Sequence, residues 1–318
     1  MKLPSLVVKC AYSMTRSYRY LHYDVFTDRL FGGNQLAVLP DARGLSAAAM
    51  QSIANEMNFS ETTFVLPAER PDTDARMRIF TPGNELPLAG HPTIGTTFAL
   101  ARTGVIAPPR EQFVFGLGVG PVPVSLTWEG DALAFAWMTQ LVPTFGAAID
   151  NARGAAAMLG LPEDAVTGAR LPVQVVSCGM PCLLVPVATR DLVDAAVLER
   201  SAWPAFMDAL HDPPDCVLFF SLEPGADGAT AYSRMFAPSL GIGEDPATGG
   251  ASGPLGCYLV RHGAVAADQA AAMLSLQGVR MGRPSHVHIS IGVDRDEIKT
   301  VRVGGTAVFA GEGLLYLA

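Results

Sequence analysis

The chain repeats itself. Arg234-Met235-Phe236-Ala237-Pro238 matches Arg78-Ile79-Phe80-Thr81-Pro82 at an offset of 156. After three extra residues the offset becomes 159, and it holds from Asn84–Gly104 against Gly243–Gly263. Six of those 21 positions are identical: Glu85/Glu244, Pro87/Pro246, Gly90/Gly249, Leu100/Leu259, Arg102/Arg261 and Gly104/Gly263. Thr93/Ser252 is a further conservative match. Both matches fall in the same order, and each leads into an apolar stretch of helical length. An internal duplication follows: two similar α+β lobes, each carrying one copy of the loop and helix.

The rest of the chain fits that frame. Tyr18–Phe26 reads as a strand from its aromatic and β-branched content, and Gly32-Gly33-Asn34 as a turn into a second strand, Leu36–Leu39. Ser46 caps a helix whose apolar positions Met50, Ile53, Ala54 and Met57 keep helical spacing. Strands are expected at Thr62–Leu66 and Met77–Phe80, a helix from Pro92 to Gly104, and a hairpin from Val122–Trp128 and Ala132–Trp137. Val142-Pro143 is the expected linker. Beyond it come strands at Val173–Ser177, Cys182–Val187 and Cys216–Phe220, with helical stretches over roughly 190–210. The expected N-terminal lobe is 18–141, with 305–318 as a candidate strand to complete it. The C-terminal lobe is 142–304, and 1–17 is a tail or a misplaced start.

Composition closes off several functions. Of 318 residues, 49% are hydrophobic and 16% charged, enough apolar material for a sizeable core. A net charge of −8 argues against nucleic acid, since phosphate binding needs clustered Lys and Arg. No apolar run reaches the roughly 18 residues of a membrane span. The cysteines, five in number and without a CxxC pair, fit neither a disulfide framework nor a zinc site, and point to a reducing, cytoplasmic setting.

Each repeat joins a polar loop to a glycine and then a helix: Ala89-Gly90-His91-Pro92-Thr93 and Thr248-Gly249-Gly250-Ala251-Ser252. Glycine admits a ligand close to the backbone, and the free N–H groups of a first helical turn point outward. The partial positive charge there favours an anion by about 0.3–1 kcal/mol, and by about 2 when partly buried. Ordinary capping explains either loop singly; the matched pair favours a carboxylate or enolate site. Glu61, in Asn58-Phe59-Ser60-Glu61-Thr62, has a capping-box reading with Asn58, weakened by the strand-like residues that follow. Its alternative is a half-buried general acid/base. His286 and His288 share one strand face at metal-ligand spacing, but no third ligand is evident and no metal is expected.

Five ordered motifs, Phe31–Val38, Asn58–Thr62, Glu85–Thr93, Glu244–Gly249 and Met281–Ser285, resemble the phenazine-biosynthesis F-type (PhzF-like) isomerase family. The resemblance runs from about residue 20 to the C-terminus. It implies the diaminopimelate-epimerase-like fold: α+β, two pseudo-symmetric lobes, each a curled, mostly antiparallel β-sheet around a central helix. It also implies a homodimer without a cofactor. It assigns proton shuttling to Glu61 and substrate contacts to His91 and Asp245, with Ser60, Gly90, Gly249, Gly250 and Asn34 as further substrate-binding residues. Related epimerases carry a cysteine at each helix N-terminus; Ala89 and Thr248 stand there, which disfavours two-thiol racemisation. Gly250 departs from the serine common in phenazine-type members. The expected function is a cofactor-independent isomerase moving a proton between carbons of a small unsaturated carboxylic acid, as in trans-2,3-dihydro-3-hydroxyanthranilate isomerisation. The alternatives are an amino-acid epimerase or racemase, and a non-catalytic small-molecule binder.

Overall fold

The computed structural model describes residues 16–317. The strands and helices of the first half are β1 (Arg16–Val25), β2 (Asn34–Leu39), α1 (Ala47–Met57), β3 (Glu61–Pro67), β4 (Ala75–Phe80), β5 (Glu85–Leu86), α2 (Gly90–Arg102), β6 (Gln112–Leu117), β7 (Gly120–Glu129) and β8 (Ala132–Gln140). There follow β9 (Thr144–Ile149), α3 (Ala152–Met158), α4 (Glu163–Thr167), β10 (Val173–Ser177), β11 (Pro181–Pro186), α5 (Arg190–Ala195), α6 (Ala202–Met207) and β12 (Cys216–Ser221). The chain continues through β13 (Ala231–Ala237), β14 (Ile242–Asp245), α7 (Gly249–Arg261), β15 (Met273–Gln277), β16 (Ser285–Asp294), β17 (Glu297–Gly305) and β18 (Ala307–Leu317). Most of the expected tail lies outside the described residues, but Arg16 and Ser17 are paired members of β1, so the strand starts before residue 18.

The duplication is written in the strand pairing. In the first half β1–β2 is antiparallel, β2–β3 parallel, β3–β4 antiparallel, β4–β6 parallel, and β6–β7 and β7–β8 antiparallel. The second half repeats this succession from β10–β11 through β11–β12, β12–β13, β13–β15 and β15–β16 to β16–β17. The halves join edge to edge through β8 and β17, and they trade strands: β9 pairs with β10, while β18 returns to β1. The two repeat hairpins also carry the same ion pair. Arg78 grips Glu85 at 2.6–2.7 Å across β4 and β5, and Arg234 grips Glu244 at 2.7–2.9 Å across β13 and β14. The three extra residues of the second copy form a one-turn 3-10 helix, Pro238–Leu240.

Both repeat helices have 13 residues, and each is buried from its first residue through the eleventh. A helix buried all round needs sheet on all sides, and α2 packs on β1, β2, β3, β8 and β18, α7 on β10, β11, β16 and β17. Small residues make that closeness possible: a Cβ on Gly95 would lie 2.6 Å from Leu36 and Val25, and one on Gly256 would lie 2.4 Å from Ile289. Outside the sheets, α1 covers Phe64 and Phe80, and α3 to α6 cover β10 to β13. The expected helix from Pro92 begins two residues earlier, and the 190–210 stretch is two short helices broken at 196–201. β9, α3 and α4 went unrecognised in the sequence.

The helix starts meet back to back. A Cβ built on Gly90 would lie 2.6 Å from Gly249 Cα, 2.7 Å from Gly249 C and 2.8 Å from Gly250 N, all backbone atoms that cannot rotate away. Gly90→Ala is therefore expected to cost about 1–3 kcal/mol by overpacking, read as a lower urea midpoint. Gly83→Ala, where nothing lies within 4 Å of the added carbon, should stay near wild type.

Candidate active site

The register of the two halves decides what surrounds this contact. Glu61 opens β3 opposite Leu36, and Cys216 opens β12 opposite Cys182, so Glu61 and Cys216 occupy matching positions. Two residues back along β2 and before β11, Asn34 matches Met180. From the repeat loops, Leu86 matches Asp245, Ala89 matches Thr248, Gly90 matches Gly249 and His91 matches Gly250. All of these except Asn34 line one enclosed cavity of about 20 Å³, with Met235, Leu240 and Ile242. The symmetry of the backbone is broken by chemistry: one wall carries Glu61 and His91, and the facing positions carry Cys216 and Gly250.

Glu61 comes from the α1–β3 connection. Asn58 ends α1 in the left-handed conformation at φ 51°, donating its N–H to Ala54 O, so it is a helix C-cap and not part of a capping box. The chain then turns directly into β3 with Glu61 pointing inward, 7% exposed. His91, on the first turn of α2, brings Nε2 to 3.2 Å from Glu61 Oε2. The two are not aligned for a hydrogen bond, and each atom is buried without a partner. Burial pushes the Glu61 carboxyl well above its usual range, and the charge of Asp245 pushes it further. Burial lowers His91 to about 3, so the imidazole is neutral at physiological pH.

Asp245 is held quite differently. Its Oδ1 accepts from Asn34 Nδ2 at 2.7 Å and Ser60 Oγ at 2.8 Å, and its Oδ2 accepts from Thr248 Oγ1 at 2.5 Å. Burial raises its pKa to about 6, against the lowering effect of these three donors. Asn34 also donates to Ala247 O at 2.9 Å, so both its amide hydrogens are engaged. It ties the first half to the second-half loop, and Ser60 does the same. The structure thus brings Glu61, His91, Asp245, Gly90, Gly249 and Gly250 to the cavity wall, and puts Asn34 and Ser60 behind Asp245. A Cβ on Gly250 would meet only Met180 Cε, at 3.0 Å.

Neither central helix has a side-chain cap. Ala89 has nothing to offer, and the Thr248 hydroxyl is spent on Asp245. Both helices therefore start uncapped at the cavity, where Gly90, His91, Gly249 and Gly250 line it, an arrangement suited to an anion. Sequence reading missed Gln277, Met180 and Cys216. The last two were accessible by aligning the glycine turns Gly33-Asn34 and Gly179-Met180, whereas a lone glutamine carries no signal. Contact with Cys182 and burial push the Cys216 thiol well up, away from acid–base use. Among the described residues no three His, Cys, Asp or Glu side chains gather as a metal cluster; His288 lies edge-on to Phe135 and Trp137. No helix there is long and apolar enough to cross a membrane. A wider depression of about 830 Å³ beside Phe31 and His286 holds none of the acid–base groups.

Comparison with known proteins identifies the chain's relatives. The sequence profile of the family described as phenazine biosynthesis-like protein matches residues 23–313. A trans-2,3-dihydro-3-hydroxyanthranilate isomerase from Pseudomonas aeruginosa is 37% identical, over 94% of this chain and 100% of that protein. An uncharacterized isomerase from Mesorhizobium japonicum is 34% identical, over 94% and 98%. Among solved structures, a PhzF-family phenazine biosynthesis protein from Bacillus anthracis superposes with a TM-score of 0.83 at 27% identity, covering 95% of this chain and 100% of that one. A hydroxyproline epimerase from Agrobacterium vitis shares the fold at a TM-score of 0.66 and 16% identity, covering 95% and 93%.

A raised carboxyl pKa has a measurable sign. The folded state holds the Glu61 proton more tightly than the unfolded chain, so its stability contribution is present below the ordinary glutamate value and is lost as pH rises through the folded value. Glu61→Gln cannot ionise and escapes that loss. Its thermal midpoint is expected to exceed wild type by a few degrees at about pH 9, and by much less at about pH 5. Equal differences at both pH values would contradict the assignment.

Proposed function

Because the chain belongs to the phenazine biosynthesis-like protein family, we propose that it is an isomerase that moves one proton between two carbons of a small unsaturated carboxylic acid, using Glu61 as the only acid–base group. The observation that carries this reading is the unpartnered pair of Glu61 Oε2 and His91 Nε2, 3.2 Å apart at the meeting of two uncapped helix starts. The Glu61 carboxylate takes a proton from a saturated ring or chain carbon. The C–H electron pair enters the adjoining double bonds and the substrate carboxylate, where the helix N–H groups stabilise the charge. The Glu61 carboxyl then returns the proton to a second carbon of the same system, so the formula is unchanged. A raised pKa makes its carboxylate a stronger base and brings its two forms closer in population.

Neutral His91 is suited to donate or accept a hydrogen bond to substrate, and Asp245 supplies a fixed negative charge that keeps the Glu61 proton bound. A racemase needs acid and base on opposite faces. The position matching Glu61 holds Cys216, whose thiol stays protonated, and the helix-start positions hold Ala89 and Thr248. Transfer on one face follows. The cavity of about 20 Å³ has room for little more than a water molecule, so its walls at Leu86, Met180, Leu240 and Ile242 must part to admit substrate.

The Pseudomonas relative makes trans-2,3-dihydro-3-hydroxyanthranilate the first substrate to try. Conversion followed by absorbance is expected for the wild type, with Glu61→Gln slower by about 10²–10⁴-fold. Equal rates would remove Glu61 from the mechanism. In D₂O the transferred hydrogen should be largely retained, and any deuterium that exchanges onto Glu61 should enter the new C–H bond on one face only; a racemic mixture would favour the two-base alternative.

A further inference from the structure

Gln277 ends β15, fully buried, beside the β14–α7 loop that carries Asp245 and Thr248. Its Oε1 accepts from Thr248 N at 3.0 Å, which fixes the orientation of the amide. Its Nε2 therefore faces the other way, donating to Asp245 O at 2.7 Å and to Thr248 Oγ1 at 3.1 Å. An amide nitrogen has two hydrogens and no acceptor capacity, so the Thr248 oxygen is obliged to accept from it. A hydroxyl has one proton to give, and the nearest acceptor left for it is Asp245 Oδ2 at 2.5 Å.

We propose that Gln277 is a positioning residue of the active site: through Thr248 it sets the direction of a hydroxyl proton and so keeps Asp245 an acceptor, the fixed anion against which Glu61 holds its own proton. The relay runs from β15 to a loop to β14 and then across the cavity to β3, and Gln277 itself does not line the cavity. The groups that face Asp245 are Glu61 from β3, His91 from α2 and Cys216 from β12. The neighbouring Glu244 is paired with Arg234 at 2.7 Å. Asn34 and Ser60 supply the other two donors.

The inference rests on the acid–base reading of Glu61, but its test needs no substrate. Carboxyl ¹³C NMR titration of the full chain, with Asp245→Asn and Glu61→Gln used to identify the two resonances, follows both groups directly. Thr248→Val and Gln277→Met are each expected to move the Asp245 titration up by about one pH unit or more, and the Glu61 titration down. The double variant should move neither any further, because both changes act through one hydroxyl. Unchanged titrations in Gln277→Met, with only a lower unfolding midpoint, would make Gln277 purely structural and overturn the proposal. Fully additive displacements in the double variant would overturn it as well. Should Gln277→Met fail to fold, the isosteric Gln277→Glu decides: its carboxylate draws the Thr248 proton off Asp245, and a wild-type Asp245 titration would again overturn the relay. Failure here leaves the isomerase reading standing, and loss of that reading leaves these titrations as they are.

Discussion

The contact between Gly90 and Gly249 sets the terms for the rest of the molecule. Two helices can begin this close only if neither has a side chain at that position. Once they do, two helix starts without side-chain caps face the same small volume. The halves must then curl around helices they cannot swing outward, which demands the small residues along α2 and α7. It also brings the strand starts at Glu61 and Cys216 to opposite sides of one cavity. Fold and site thus answer to a single steric fact.

A duplicated backbone offers every wall residue twice, and function lies in how the copies diverge. Asp245 faces an aligned Leu86, Thr248 an Ala89, His91 a Gly250, Glu61 a Cys216. Two carboxyl groups share the cavity, and burial raises both, but to different extents. Three donors hold Asp245 back to about 6, whereas Glu61 is pushed well above its usual range. Environments that drive two carboxyls apart are how a single site comes to hold both a proton and a charge. The cost of leaving Glu61 Oε2 and His91 Nε2 unpaired is met by the ordered surroundings, chiefly Asn34, which lies 3.1 Å from His91 Nδ1 and reaches from β2 into the second-half loop.

Much of this was legible before any coordinates. The repeat offset aligned α2 with α7 to the residue, and the shift from 156 to 159 located the extra 3-10 turn. The matched Arg78–Glu85 and Arg234–Glu244 pairs lie within the same aligned segments. Glu61, His91 and Asp245 are singled out in the sequence by the family resemblance, which rests on loop and strand-start motifs. The duties of Asn34 and Ser60 were not, because hydrogen bonding to Asp245 depends on partners about 200 positions away. Gln277 was invisible because its partners lie 29 and 32 positions away and no local motif marks it. The short helices α3 and α4 escaped because seven- and five-residue helices owe their form to the apolar surface beneath them and not to any period of their own.

The exchange of β9 and β18 has a bearing on how the chain is made. β18, the partner of β1, is synthesised almost 300 residues after it, as the Arg19–Glu312 bond across them records. The first half therefore waits, its edge open to other chains, while the whole second half is translated, and the second half meets its own crossing strand, β9, at once. Synthesis is asymmetric where the product is symmetric. The duplicated halves differ in the hazard each meets at birth, and the charged Arg16 and Arg19 on β1 sit where an exposed edge most needs protection from aggregation.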